Sequence, residues 1–107
     1  MDAHERRASA EEDEIESKLR LGQHVELIPD LLDAVDAEPF RERRWRQLML
    51  ALYRCGRTAE PLRQFHRLTE KFAEIGRSPS AETARLERAI MQQSPELDWI
   101  GPESLTY

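Results

Sequence analysis

The chain has 107 residues, of which 39% are hydrophobic and 35% are charged, and its formal net charge is -5. A chain of this length forms one small domain, and a single cysteine excludes a disulfide scaffold. The sequence contains no apolar run of 18 residues, which excludes a transmembrane helix.

The charge is distributed unevenly along the chain. Residues 1–40 carry 12 acidic and 4 basic side chains, whereas residues 41–98 carry 12 basic and 8 acidic ones. Such asymmetry indicates a surface that faces a partner. The overall acidity disfavours non-specific binding to nucleic acid, because binding to phosphates requires a dominant positive field.

The first predicted helix begins at a capping-box pattern, with Ser9 as the N-cap and Glu12 three residues later. We expect it to run from about Ala10 to Leu21 and to end at Gly22. Residues 1–9 then form either a flexible N-terminus or an extension of this helix.

The second predicted helix spans about His24 to Ala37. Its apolar residues recur at steps of three and four, which predicts an inward-facing stripe of Val25, Ile28, Leu31, Leu32 and Val35. Pro29 lies one turn into this helix and predicts either a kink or a late start.

Three further helices follow. The third is predicted from about Arg41 to Cys55 and ends at Gly56. The fourth is capped by Thr58 and ends at Gly76, with Ile75 at the end of its apolar stripe. The fifth runs from the cap Ser80 to about Gln93. No segment has the alternating pattern of a strand.

A repeat relates the first two helix pairs. Gly22 and Gly56 lie 34 residues apart, and at the same offset Ile28 corresponds to Leu62 and Leu31 to Phe65. A 34-residue period of two helices and a short turn is typical of the tetratricopeptide repeat (TPR). We therefore predict an all-α, TPR-like stack of about five antiparallel helices. Its predicted core residues are Leu31, Trp45, Leu48, Leu52, Leu62, Phe65 and Phe72.

Several collinear stretches carry a family resemblance: Leu19–Pro29, Pro39–Arg54, Gly56–Glu60, Ser78–Glu82 and Ile90–Leu97. They resemble the bacterial transcriptional activator domain. This domain is the TPR-like middle segment of the Streptomyces antibiotic regulatory protein family of actinobacterial activators. In that family a winged helix-turn-helix precedes the domain and binds DNA, while the TPR-like part contributes to dimerisation and to contacts with the transcription machinery.

The resemblance implies a division of the chain into residues 1–9, a TPR-like domain over residues 10–98 and an apolar tail over residues 99–107. The winged helix is absent here, and the match begins partway through the domain. The implied function is a non-enzymatic, cytoplasmic interaction module of a transcription-regulator type. It would act through a protein partner, either the transcription machinery or a regulator subunit, and without binding DNA itself or a membrane. A homodimer is an additional alternative for its assembly.

Two other interpretations of the function stay open. The chain could be a general TPR adaptor or scaffold unrelated to transcription, or a truncated remnant of a larger activator. In each case we expect no cofactor, because the sequence contains neither a glycine-rich phosphate loop nor a catalytic constellation.

The partner-binding residues follow from the TPR pattern, in which the first helix of each pair lines a concave groove. This pattern selects Arg43, Arg46, Leu50, Tyr53 and Arg54 from the third helix, and Glu12, Glu16, Leu19 and Arg20 from the first. Arginines around a tyrosine could clamp an acidic peptide, since guanidinium groups bind carboxylates through two hydrogen bonds. The alternative is that these arginines form a solvated face, partly paired with the acidic first helix.

Other candidate sites are weaker. Arg41, Arg43, Arg44 and Arg46 could contact nucleic acid, but they spread over more than one helix face. The histidines have no zinc-ligand spacing with Cys55, which we interpret as a packing residue.

The tail contains four large apolar residues, Trp99, Ile100, Leu105 and Tyr107. It either folds back on the last helices or docks a second copy or another protein.

Overall fold

The computed structural model describes residues 2–100. The chain forms five α-helices and a closing 3-10 turn: Ala3–Arg20 (α1), His24–Ala37 (α2), Glu42–Arg54 (α3), Ala59–Ala73 (α4), Ala81–Met91 (α5) and Pro95–Leu97. No strand occurs between residues 2 and 100, so the predicted all-α class is confirmed.

The central element of the stack is α3, which packs against each of the other four α-helices. The sequence of α3 explains this position, because its buried apolar side chains pack into two different core clusters. Trp45, Leu48 and Leu52 join a cluster with residues of α1, α2 and α4. Met49 joins a second cluster with Ile90 and Leu97 at the C-terminal end of the chain.

Most of the predicted core is confirmed. Leu31, Trp45, Leu48, Leu52 and Phe72 are buried. Leu62 and Phe65, which we also expected in the core, are only partly buried, because they lie at the margins of the two clusters.

The repeat is visible in the two turns that close α1 and α3. Gly22 and Gly56 both have a φ of 81°, a left-handed conformation that glycine adopts without steric cost. The same pair of backbone hydrogen bonds surrounds each glycine. The amide of Gly22 donates to the Leu19 carbonyl, and that of the next residue donates to the Lys18 carbonyl. Gly56 and its successor make the same two bonds 34 residues later. These are Schellman caps, so the 34-residue spacing corresponds to a structural repeat.

The N-terminal boundary of α1 differs from the prediction. The helix begins at Ala3, and its N-cap is Asp2, whose carboxylate accepts a hydrogen bond from the Glu5 amide at 2.8 Å. Ser9, the predicted cap, lies inside the helix. The capping-box pattern gave the wrong start because no helix breaker precedes Ser9, and because tertiary contacts of Glu5 and Ala8 stabilise the first two turns.

The second helix starts at His24 and runs through Pro29, so the late start does not occur. Pro29 is on the exposed side, where its missing N–H is least costly. Val25 was wrongly placed in the inward stripe. It is 69% exposed, because the buried stripe is formed by His24, Leu27, Ile28, Leu31 and Val35.

The ends of the last helices also show differences. Ile75 is exposed, because α4 ends at Ala73. Thr58 occupies the N-cap position of α4 without making a side-chain cap hydrogen bond. Ser80 caps α5 as predicted, and its hydroxyl accepts from the Thr83 amide. None of the helices between residues 2 and 100 has the length and apolar character needed to cross a bilayer.

Candidate functional site

A buried ion cluster joins α1 to the start of α3. Glu12 is 3% exposed, and its carboxylate accepts hydrogen bonds from Arg41 at 2.7 and 3.1 Å and from Arg44 at 3.0 Å. A buried carboxylate requires such partners, since an unpaired charge inside a protein costs several kcal/mol. Glu12 is therefore a structural residue that joins the two helices.

The two arginines extend this cluster to the surface. Arg44 also donates to Glu11 at 3.1 Å and to Glu38 at 3.0 Å, and Arg41 also pairs with Glu5. The hydrogen bond with His4 holds the pKa of Glu38 below its ordinary value. The positive charges of Arg41 and Arg44 are thus neutralised within the chain, and these side chains do not present a free basic face.

Two of the predicted groove arginines are also paired. Arg43 donates to Asp13 at 2.8 Å and lies 3.8 Å from Glu16 on α1. Arg46 lies 3.8 Å from Glu42 and 3.6 Å from Glu82. This pairing matches the alternative in which the arginines belong to a face shared with acidic neighbours.

The groove itself lies between α1, α3 and α5. It has a volume of about 210 Å³ and is lined by Glu16, Arg46, Gln47, Leu50, Glu82 and Leu86. Arg46 and Leu50 of the predicted set line it, and Glu16 is the only one of the four predicted α1 residues that does. Leu19 is buried in the core, and Arg20 is exposed at the far end of α1.

A hydrogen-bond network fixes α5 beside α3 and so sets the far wall of the groove. The Glu42 carboxylate accepts from the amide and the hydroxyl of Ser80 at 2.8 and 2.7 Å, and also from the Thr83 hydroxyl. Burial opposes the ionisation of Glu42, but the hydrogen bonds from Thr83 and Ser80 hold its pKa below the ordinary value. Arg46 donates to the same Thr83 hydroxyl at 3.0 Å. Sequence analysis missed Thr83, because only its contact with α3 distinguishes it from any other residue of a helix first turn.

Gln47 adds an unusual feature to the groove. It is 2% exposed, and its amide nitrogen donates to the Glu12 carbonyl at 2.9 Å and to Glu16 at 3.1 Å. Because both partners are acceptors, the orientation of the amide is fixed. Its oxygen has no hydrogen-bond partner among residues 2–100.

The remaining two predicted residues, Tyr53 and Arg54, lie at the opposite end of α3 and line a separate pocket. This pocket has a volume of about 420 Å³, and its other lining residues are His24, Gly56, Thr58, Gln93, Asp98 and Trp99. The predicted set is therefore divided. Two of its members line the first site, which we call the groove (Glu16, Arg46, Gln47, Leu50, Glu82, Leu86), and two line the second, which we call the Arg54 pocket. Arg43 lines neither of them but a third cavity of about 560 Å³, beside Arg41 and Glu42.

The start of the tail forms one wall of the Arg54 pocket. The indole nitrogen of Trp99 donates to the Arg20 carbonyl at 3.0 Å, and the indole ring meets His24 edge to face at 5.8 Å. Trp99 thus lies on the turn between α1 and α2. The fold-back alternative had placed the tail on the last helices instead. Leu105 and Tyr107 lie outside the described residues.

His24 is a buried titratable group beside this pocket. A carbonyl can only accept a hydrogen bond, so the 3.2 Å contact with Leu19 places a proton on Nε2 of His24. Burial lowers the pKa of His24 below its ordinary value, and Arg54 acts in the same direction.

We expect acidification from about pH 7.5 to about pH 5.5 to lower the free energy of unfolding. The unfolded state takes up a proton on His24 at a higher pH than the folded state does. The stabilisation is therefore complete above the unfolded pKa and is lost as the pH falls through it towards the folded pKa. Urea denaturation at each pH measures the effect.

The His24→Gln variant keeps an N–H donor for the Leu19 carbonyl and cannot titrate, so it should lose most of this pH dependence. His66→Gln changes an exposed histidine of α4 and serves as the control. Equal pH slopes in the two variants would exclude His24 as the titrating group.

No group of three or more potential metal ligands occurs among residues 2–100. Cys55 is partly buried, and this burial raises the pKa of its thiol, which makes it a poor nucleophile at neutral pH.

Comparison with known proteins identifies relatives over most of the chain. The family described as bacterial transcriptional activator domain matches residues 1–91. The regulatory protein DnrI of Streptomyces peucetius is 39% identical over 100 residues, which cover 92% of this chain and 37% of DnrI. The transcriptional regulatory protein MoaR1 of Mycobacterium tuberculosis is 32% identical over 87 residues, covering 80% of this chain and 28% of MoaR1.

A solved structure has the same helical arrangement. Mycobacterium tuberculosis EmbR, solved in complex with a low affinity phosphopeptide, superposes with a TM-score of 0.83 at 26% identity. The match covers 85% of this chain and 24% of that one. The chain thus spans well under half the length of these three proteins.

Proposed function

The chain belongs to the bacterial transcriptional activator domain family, and from this premise we propose that it is a non-enzymatic interaction module that acts on transcription through a protein partner. The observation that carries the proposal is the groove between α1, α3 and α5. It combines the apolar side chains of Leu50 and Leu86 with the charged side chains of Arg46, Glu16 and Glu82. Such a mixture is typical of a surface that receives a peptide segment.

The charge on the groove constrains the partner. Arg46 is flanked by Glu42 and Glu82, and Arg43 by Asp13 and Glu16. An acidic peptide would have to displace these carboxylates before the arginines could clamp it. A partner that inserts an apolar side chain between Leu50 and Leu86 fits the groove as it stands.

The pairing of the arginines also supports indirect action on transcription. A protein that binds DNA by itself needs side chains that neutralise several phosphates. Arg41, Arg43, Arg44 and Arg46 all pair with carboxylates of the same chain. We therefore propose that contact with the transcription machinery or with a regulator subunit, and not with DNA, is the active step.

Site-specific photocrosslinking in actinobacterial cells tests this function. A photoreactive residue at position 50 should capture a subunit of the transcription machinery or another transcription regulator. The same residue at position 91, where Met91 is exposed outside the groove, should not. Mass spectrometry identifies the product.

The variant Leu86→Glu should reduce the crosslink from position 50 by about tenfold, since it removes an apolar contact of the groove and loss of such a contact costs about 1–2 kcal/mol. The control Leu21→Glu makes the same substitution at an exposed leucine outside the groove. Circular dichroism verifies that both variants fold. Equal capture from positions 50 and 91 would contradict the groove, and capture of proteins unrelated to transcription would instead support a general adaptor.

A further inference from the structure

The Arg54 pocket contains a cation that lacks a direct ionic partner. The guanidinium of Arg54 donates through Nε to the Leu97 carbonyl at 2.9 Å, and no carboxylate of residues 2–100 lies within 4 Å of it. Every arginine of α3 that precedes it has such a carboxylate. Burial accordingly lowers the pKa of Arg54 below its ordinary value, although the group stays charged.

The bond to Leu97 orients this cation. Leu97 is buried in the second core cluster, so its carbonyl is a fixed acceptor. With Nε held there, the two terminal nitrogens of Arg54 are the groups left to face the pocket. Their four N–H donors make no hydrogen bond to residues 2–100 and form a preoriented fork that matches a carboxylate.

The other walls supply polar and apolar contacts. Tyr53 and Thr58 line the pocket, and neither hydroxyl makes a hydrogen bond within the described residues. The Trp99 ring is held in place by its bond to Arg20 and by its edge-to-face contact with His24, and it provides a planar apolar wall. A cavity of about 420 Å³ accommodates a small aromatic molecule.

We propose that the Arg54 pocket binds a carboxylate carried on an aromatic body, with the carboxylate on the Arg54 fork and the apolar part against Trp99. The pocket shares no lining residue with the groove, so this proposal stands independently of the function proposed above.

The charges around the pocket favour a monoanion over a phosphate. Among the lining residues between positions 2 and 100, Arg54 is the only cation, because burial favours the neutral form of His24. Asp98 also lines the pocket and carries a negative charge. A dianion would gain little more from a single guanidinium and would be repelled more strongly by Asp98.

Titration of the ¹⁵N-labelled protein with 3-phenylpropionate tests the proposal. The indole N–H signals of Trp45 and Trp99 can be told apart, since Trp45 is buried and donates to Pro39. We expect a saturable shift of the Trp99 signal with a millimolar Kd and no shift of the Trp45 signal. The neutral analogue 3-phenylpropionamide should give no saturable shift, and phenyl phosphate should bind more weakly than the acid.

The variant Arg54→Gln should weaken binding of the acid by about tenfold or more, because it removes the charge-assisted hydrogen bonds. Arg57→Gln, which changes an exposed arginine of the next turn, should leave the Kd unchanged. The proposal is overturned if the amide binds as well as the acid, if phenyl phosphate binds more tightly, or if no shift occurs up to about 20 mM, well above a millimolar Kd. The comparison of acid and amide uses the unmodified protein, so it decides the question even if Arg54→Gln does not fold.

A tripeptide ending in phenylalanine, Ac-Ala-Ala-Phe with a free C-terminus, distinguishes two sources of the same chemistry. Tighter binding than 3-phenylpropionate assigns the pocket to the end of a polypeptide, and weaker binding assigns it to a small aromatic acid. Either result supports recognition of a carboxylate by Arg54.

Discussion

Replacement of Glu12 by alanine should lower the free energy of unfolding by about 3–5 kcal/mol. Removal of this carboxylate leaves Arg41 and Arg44 partly buried, with fewer hydrogen bonds and with charges that solvent cannot fully reach. A domain of this size has a total stability of about 5–15 kcal/mol, so the variant should be close to unfolding at room temperature. Urea denaturation followed by circular dichroism measures the change.

Glu14→Ala is the matched control. Glu14 lies in the same acidic run on α1, but it is exposed, and its one ion pair within residues 2–100 is with Lys18, one turn later. Exposed pairs of this kind contribute less than about 0.5 kcal/mol. If the two variants have equal stability, the Glu12 cluster is not the ionic contact that fixes α1 to α3.

The cluster also explains why the start of α1 could not be predicted from the sequence. The run from Glu11 to Glu14 has the local pattern of a helix N-terminus, where carboxylates interact favourably with the helix dipole. The structure uses Glu12 for a contact with residues about 30 positions later. No local pattern reports such a contact, so the capping box at Ser9 was given too much weight.

The repeat, in contrast, was predictable. Its period follows from glycines that close helices and from apolar steps of three and four, and both features are local. Gly22 and Gly56 therefore have the same conformation, and Trp45, Leu48 and Phe72 form the core as expected. Val25 was misplaced because a stripe alone does not determine which of its edges faces the neighbouring helix.

The candidate site was predictable only in part, and the geometry of α3 shows why. Arg43, Arg46, Leu50, Tyr53 and Arg54 share one face of the helix by their spacing. At a rise of 1.5 Å per residue, Arg43 and Arg54 are nevertheless about 16 Å apart along the axis. The two ends of this face meet different neighbours, α1 and α5 at the groove and the segment after α5 at the Arg54 pocket. Sequence reasoning identified the face but not its division.

The contact between Trp99 and the first repeat turn gives the second large effect. A Cβ atom on Gly22 would lie 2.7 Å from Cζ2 of the Trp99 ring, whereas a Cβ on Gly56 would meet nothing within 4 Å. Both glycines have a φ of 81°, so an alanine at either position carries the same backbone strain of about 1 kcal/mol. Gly22→Ala should cost about 1–3 kcal/mol more than Gly56→Ala, because it also forces the indole away from the turn.

A double variant separates the strain from the contact. In a Trp99→Ala background the ring is absent, so Gly22→Ala should cost only the roughly 1 kcal/mol of backbone strain that Gly56→Ala costs. The Trp99 indole N–H signal provides a second measurement, because displacement of the ring breaks its hydrogen bond to the Arg20 carbonyl. If Gly22→Ala and Gly56→Ala are equally destabilising in the original chain, Trp99 does not pack on the turn. If they differ, the segment that closes the Arg54 pocket also stabilises the first helix pair, although 79 residues separate Trp99 from Arg20 along the chain.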